Sequence, residues 1–354
     1  MIVERIDAAH QRLIDAGLTQ LHRISIALID DGYLRTYADS SIGVNPLRHH
    51  ERRLCTAPSL QQLADSGQPR VVEDYQQAYP HHSKANAWLQ REQIRSSYTV
   101  PLYLFDEFIG FVFFNSATAG YFSPERIEAI QPELVLIERL VQQERVIYQR
   151  ISALCDVAEK LCEIRDMQTS LHCQRLKNIT RVIANHMVQF EEMSDRIVYY
   201  TIKFSPLHDI GKVGVADNIL QKPGPLSSDE YREVKRHVEY GLNVFIGSLS
   251  AQERRHEVTA LIEQLIGLHH EQLNGQGYPV GLTAEQIPIP VRMVTVADIF
   301  DALTSDRPYK PAWSIAEAIA QMYQMAEQDR IDGRCVDALA IHYQQQLQDF
   351  RQLA

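Results

Sequence analysis

Seven side chains in the second half of the chain are of types that hold divalent cations: His172, His208, Asp209, His237, His269, His270 and Asp298. Imidazole and carboxylate together suit a divalent transition metal. His208-Asp209 and His269-His270 are adjacent pairs, while His172, His237 and Asp298 each sit in a helix-compatible segment. Neighbouring helical residues point about 100° apart, so such a pair can serve two metals, or one metal and its surroundings. Seven donors exceed the needs of one tetrahedral ion. They suit two octahedral ions sharing a carboxylate and a hydroxide, with ~3.5–4 Å between the metals. Lys212 follows the His-Asp pair by about one helical turn, so it could reach the same cavity. His49-His50 and His81-His82 are also adjacent, but they lie in polar, loop-like segments without nearby Asp and read as solvated.

The elements that must position these donors come next. Residues 166–354 are helix-rich. Short apolar runs such as Arg196-Ile197-Val198-Tyr199-Tyr200 have strand-like composition, but the neighbouring helical periodicity favours an all-α domain. Ser123-Pro124-Glu125 is a helix start, with an N-cap Ser, Pro at the first position and an acid in the first turn. Residues 126–165 then read as nearly continuous helix. Leu140, Ile147, Leu154 and Leu161 recur every seven residues, with Ile151 and Ala158 between them and Glu144 interrupting. Either a coiled coil between two chains or a helix packed on its own domain gives that stripe. Residues 1–125 look mixed α/β. Strands are expected at 23–29 and 33–37 around Asp31-Gly32, and at 98–104 and 108–114 around Asp106-Glu107. Polar, helix-compatible stretches lie near 52–66 and 83–93, and Trp88, Tyr98, Tyr103 and Phe113 read as core.

Composition narrows the function classes. A chain of 354 residues suggests two domains. The N-terminus carries charge where a signal peptide needs an apolar core, and no apolar run approaches the roughly 18 residues of a membrane span. A cytoplasmic protein is expected. The five cysteines form no C-x-x-C pair, which argues against a disulfide framework or a zinc knuckle. A net charge of -10 argues against a general nucleic-acid binder. A small phosphate ligand would need a local positive site made from metal ions or a few Lys and Arg.

The order and spacing of the C-terminal motifs resemble the HD-GYP subfamily of the HD superfamily of metal-dependent phosphohydrolases. The residues are His172-x-x-Arg175, His208-Asp209-Ile210-Gly211-Lys212, Lys222-Pro223-Gly224 and His237-x-x-x-Gly241. They continue with His269-His270-Glu271, Asn274-Gly275-x-Gly277-Tyr278-Pro279, and Ala297-Asp298-x-x-Asp301-Ala302-Leu303-Thr304-Ser305-Asp306-Arg307-Pro308-Tyr309. The resemblance covers about residues 155–350. It implies an all-helical bundle that hydrolyses cyclic-di-GMP or cyclic GMP-AMP, with iron or manganese as the usual metals. It also implies that all seven donors bind metal, with Asp209 bridging. Lys212, Arg307 and Lys310 would contact phosphate, and Tyr278, in the loop forming one lip of the site, could stack on a base or contact a partner. Where some members have a third-metal Glu, this chain has Gln168, so two metals are expected. Asn274 replaces a common Asp at a tolerant loop position, and Ile331-Asp332-Gly333 replaces Phe-Asp-Pro away from the ligands.

The order of strands and helices before it resembles a GAF domain over roughly residues 5–145, on the late hairpin, Phe122-Ser123-Pro124-Glu125 and the long exit helix. The expected organisation is α+β and multidomain: a GAF-like sensor at 1–125, a connecting helix at 126–165, and an HD-GYP catalytic domain at 166–354. The expected function is hydrolysis of a cyclic dinucleotide to a linear dinucleotide, and further to mononucleotides if a second cut follows. The alternatives are a catalytically weak receptor on the same fold, or an HD hydrolase acting on nucleoside mono- or triphosphates. The GAF-like domain could bind a small ligand, sense redox state or pair two chains.

Overall fold

The computed structural model describes residues 2–30, 32–42, 51–78, 94–165, 167–190, 193–306 and 311–353. The chain forms two compact units, Met1–Val146 with Ser194–Arg196, and Ile147–Met193 with Ile197–Ala354. The division falls inside the long helix, so that its first half groups with the sheet.

The first unit is a six-stranded antiparallel sheet with helices. Its elements are α1 (Ile2–Asp15), β1 (Leu21–Asp30), β2 (Tyr33–Ser41), β3 (Glu51–Arg53), α2 (Pro58–Ser66), β4 (Arg70–Val72), β5 (Ser96–Leu104) and β6 (Glu107–Ser116), followed by α3 (Pro124–Arg165). The strand order is β3-β2-β1-β6-β5-β4. Both expected hairpins are present. The second turns one residue earlier than expected, with Phe105 and Asp106 at φ 49 and 65, and Glu107 already in β6. Of the two helix-compatible stretches, 52–66 contains α2 but opens with the end of β3 and a 3-10 turn at Leu54–Thr56, while 83–93 and Trp88 lie outside the described residues. Helix α1 had no counterpart among the expected elements. It buries Ile2, Ile6, Ala9 and Leu13, a helical spacing, into the core shared by Ile24, Ile26 and Leu28 of β1.

Helix α3 starts at Pro124 as its capping residues require. Ile130, Leu134, Ile137 and Val141 pack into the sheet's core. Tyr148, Ile151 and Cys155 are also buried, whereas Leu154 is 39% and Val157 57% exposed. The buried stripe thus follows spacings of three and four rather than the strict heptad through Leu154.

Among the described residues the second unit is helical, apart from loops and one isolated bridge between Asn274 and Thr283. It contains α4 (Met167–Met187), α5 (Asp195–Phe204), a 3-10 segment (Ser205–Gly214), α6 (Ser228–Lys235), α7 (His237–Gly247), α8 (Glu257–Leu268), α9 (Ile289–Thr304), α10 (Ile315–Glu327) and α11 (Gly333–Leu353). The apolar run at 196–200 is indeed helix. Leu176 and Ile183 of α4, Met293, Val296 and Phe300 of α9, and Leu339 of α11 share one core. That core fixes α4 and α9, which carry His172 and Asp298. No described helix is long and apolar enough to cross a membrane.

Candidate metal centre

His208 and Asp209 lie on the 3-10 segment rather than on an α-helix. With three residues per turn, side chains three apart eclipse. Lys212 therefore sits over Asp209, and its Nζ donates to Asp209 Oδ2 at 2.5 Å. The glycine of the same motif sets the approach to α7. A Cβ on Gly211 would lie 1.7 Å from the His237 carbonyl oxygen and 2.4 Å from the Gly241 nitrogen. Glycine at position 211 lets these backbones meet, and the meeting brings His237 beside Asp209.

Four of the five histidines are aimed by what the other ring nitrogen does. A carbonyl can only accept, so an Nδ1 bonded to one carries the proton and leaves Nε2 as a lone pair. His208 Nδ1 donates to Ser205 O at 2.8 Å, and His237 Nδ1 to Val234 O at 2.7 Å. His269 follows the last turn of α8 and donates from Nδ1 to Ile266 O at 3.0 Å, capping a helix-end carbonyl. The consequence is two lone pairs face to face: His237 Nε2 and His269 Nε2 are 3.3 Å apart. Thr295 of α9 ties the assembly together by donating to His269 O at 2.9 Å.

His172 is aimed by a side chain instead. Its Nδ1 donates to Asp301 Oδ2 at 2.7 Å, and its Nε2 faces Asp298 Oδ1 at 3.7 Å. Arg175 grips the same carboxylate, Nε to Oδ1 at 2.5 Å and Nη2 to Oδ2 at 3.0 Å. Asp301 is 2% exposed, and burial, opposed by bonds to His172 and Arg175, leaves its pKa at about 2. In the sequence, the signal for this support is the i,i+3 spacing of Asp301 from Asp298 and of Arg175 from His172.

The seven donors fall into two groups: Asp209, His237, His269 and His270, and then His172, His208 and Asp298. Within each group the donor atoms lie within 4.8 Å of one another. Asp209 touches both. Its Oδ1 is 3.4 Å from His237 Nε2, and its Oδ2 is 3.1 Å from His208 Nε2. His208 Nε2 is also 3.8 Å from Asp298 Oδ1. His208 Nε2 and Asp209 Oδ1 are buried without a hydrogen-bond partner. A divalent cation between the donors of each group satisfies both atoms, so the residues present fit a pair of ions.

Protonation agrees. Burial drives His237 and His269 below the ordinary imidazole range and takes His270 down to about 4. Burial pushes Asp209 up, but Lys212 and then His208 outweigh it and hold the carboxyl well below its usual range. His237, His269 and His270 are thus neutral imidazoles beside the ionised Asp209, as metal binding requires. His208 differs. Burial opposes its charge, but Asp209 and Asp298 prevail and raise it to about 9. A proton there occupies the strongly negative spot that a cation would take.

The lip of the site folds around Glu271. This buried carboxylate accepts the N–H groups of Val280, Gly281 and Leu282 at 2.7–3.1 Å. A Cβ on Gly277 would lie 2.3 Å from the Gln272 nitrogen, so the loop closes only with glycine there. Tyr278 stacks on His270, ring centroids 4.5 Å apart. Asn274 does more than tolerate its place, since its amide donates to Gln328 O at 3.0 Å, which an Asp cannot do. Asp332 pairs with Arg292 and Arg334, away from the donors. Arg307 and Lys310 lie outside the described residues, as does the side chain of Gln168.

Comparison with known proteins follows the same division. Residues 4–132 match the GAF domain model, and residues 156–335, half of the chain, match the HD domain model. The chain is 40% identical over 210 residues to the cyclic di-GMP phosphodiesterase response regulator RpfG of Xanthomonas campestris pv. campestris, covering 59% of this chain and 52% of that one. It is 34% identical over 203 residues to a cyclic di-GMP phosphodiesterase of Thermotoga maritima, covering 56% and 52%. It is 34% identical over 182 residues to the 3'3'-cGAMP-specific phosphodiesterase 2 of Vibrio cholerae, covering 51% and 33%. The chain thus spans about half or less of the length of the curated relatives it matches. Both family resemblances of the sequence are borne out, and the chain belongs to the HD domain family, with a GAF domain ahead of its helical unit.

Proposed function

We propose that this protein is a metal-dependent phosphodiesterase that hydrolyses a bacterial cyclic dinucleotide, cyclic-di-GMP or 3',3'-cyclic GMP-AMP, to the linear dinucleotide. The observation that carries this reading is the convergence of seven donors into two groups that share Asp209. Two divalent ions, iron or manganese, bound there supply Lewis acidity and bring the pKa of a water near neutrality. Asp209 bridges the two groups, while His237, His269 and His270 complete one and His172, His208 and Asp298 the other. Lys212, already donating into the cavity, meets a non-bridging phosphate oxygen and stabilises charge that grows there. Arg307 and Lys310 add further phosphate contacts in this reading, and Gln168 limits the ions to two. Regulation by a small ligand of the GAF domain, pairing of two chains through α3 and a cytoplasmic location belong to the same reading.

The test is parallel incubation of the iron- or manganese-loaded protein with the two cyclic dinucleotides, read by chromatography. Linear dinucleotide from at least one is expected. Binding without any product in either metal form would turn the protein into a receptor.

A further inference from the structure

Resting on the phosphodiesterase reading, we propose that Tyr231 and Lys235 form a subsite at the rim of the metal cavity for the part of a dinucleotide that lies outside it. Tyr231 stacks on one nucleobase, and Lys235 meets the phosphate that is not cut.

Tyr231 and Lys235 are one helical turn apart on α6, so they share a face. The Lys235 ammonium lies 4.8 Å from the Tyr231 ring and 4.6 Å from the Tyr278 ring. Tyr278 in turn stacks on His270, at 4.5 Å. A continuous line of contacts therefore runs from a metal donor, through one tyrosine and a lysine, to a second tyrosine that is 50% exposed.

The basic side chains around Lys235 are neutralised. Lys222 pairs with Glu230 at 2.7 Å, Arg232 with Asp229 at 3.0 Å, and Arg236 with Glu233 at 3.2 Å. Lys235 has no carboxylate partner among the described residues and rests on the two aromatic rings instead. A cation held this way keeps its charge available to an anion while its place is fixed.

The substrate supplies matching groups. A cyclic dinucleotide carries two phosphates and two bases, and the metal cavity engages one phosphate. The Tyr278 ring is already engaged by His270 and Lys235, so its contribution is to hold the lysine. The exposed Tyr231 ring is the surface on which a base can lie, with the second phosphate within reach of the neighbouring ammonium.

The experiment uses the full, manganese-loaded chain, with cyclic-di-GMP and cyclic GMP-AMP as probes. Initial rates give KM and kcat, calorimetric titration gives Kd, and bound metal is counted in every variant. Tyr231→Ala and Lys235→Met should each raise KM and Kd by about tenfold, the loss expected for one stacking or phosphate contact. Their kcat should stay within about twofold and their metal content should match the parent, because neither side chain reaches the ions. Tyr231→Phe, which keeps the ring, should restore tight binding. Unchanged KM and Kd in both alanine and methionine variants, with a working parent, would overturn the subsite and leave the phosphodiesterase reading standing. A parent that neither binds nor cuts either dinucleotide would overturn both.

Discussion

The histidine donors are backed in two different ways. His237 and His269 lean on main-chain carbonyls, at 2.7 and 3.0 Å, and His208 does so in the other group, at 2.8 Å. His172, in the other group, leans on the Asp301 carboxylate, which Arg175 grips in turn. A carbonyl belongs to the helix and stays when side chains change. A carboxylate makes the imidazole a better donor, but one substitution removes it. His208, His237 and His269 are therefore tied to the integrity of the fold, and His172 to a chain of three side chains. Asp209 touches both groups, through His237 on one side and His208 on the other.

The largest effect is expected where the groups join. Asp209→Ala should lower turnover by at least about a hundredfold and reduce bound metal in both groups, read by initial rates and elemental analysis. Full activity in that variant would break the shared-carboxylate reading outright. Next comes Asp301→Asn, which keeps the shape and removes the charge behind His172. It should weaken one of two metal-binding steps by about 10–100-fold and spare the other, seen as a split in a metal titration. Equal weakening of both steps would show that the two groups are not independently supported. The smallest effect concerns the scaffold. Gly211→Ala places a Cβ 1.7 Å from the His237 carbonyl oxygen and should destabilise the fold by about 1–3 kcal/mol in denaturant melts. Gly247→Ala, whose Cβ meets nothing within 4 Å, should change stability by less than about 1 kcal/mol. If the two alanines behave alike, the glycine contact does not hold the first group in place.

Since adjacent histidines alone also occur at His49-His50 and His81-His82, the seven donors were legible through their order and spacing together. Their supports were not. Asp301 carries the same residue type as Asp298 one turn away, and nothing in the string says which of the two turns its back to the cavity. Gly211 and Gly241 are ordinary helix-compatible glycines until the chain is folded and their backbones touch. The 3-10 winding around His208 was also hidden, since Ser205-Pro206-Leu207 reads equally as the start of an α-helix. In the sheet, the hairpins showed themselves through local turns, but the pairing of β1 with β6 joins segments some eighty residues apart in sequence and leaves no local trace. Helix α1 escaped because its apolar spacing begins at the second residue, without a capping residue to announce it.

The clasp at Glu271 sets how the lip can diverge. The carboxylate takes hold of Val280, Gly281 and Leu282 by their amide hydrogens, never by their side chains. Val280 is 69% exposed, so its side chain is spent on nothing the clasp needs. Such a loop can be rewritten at its outer positions, one residue type for another, while the adjoining His270 keeps its bearing. The outer face of the lip can drift without the side that holds His270 being rebuilt.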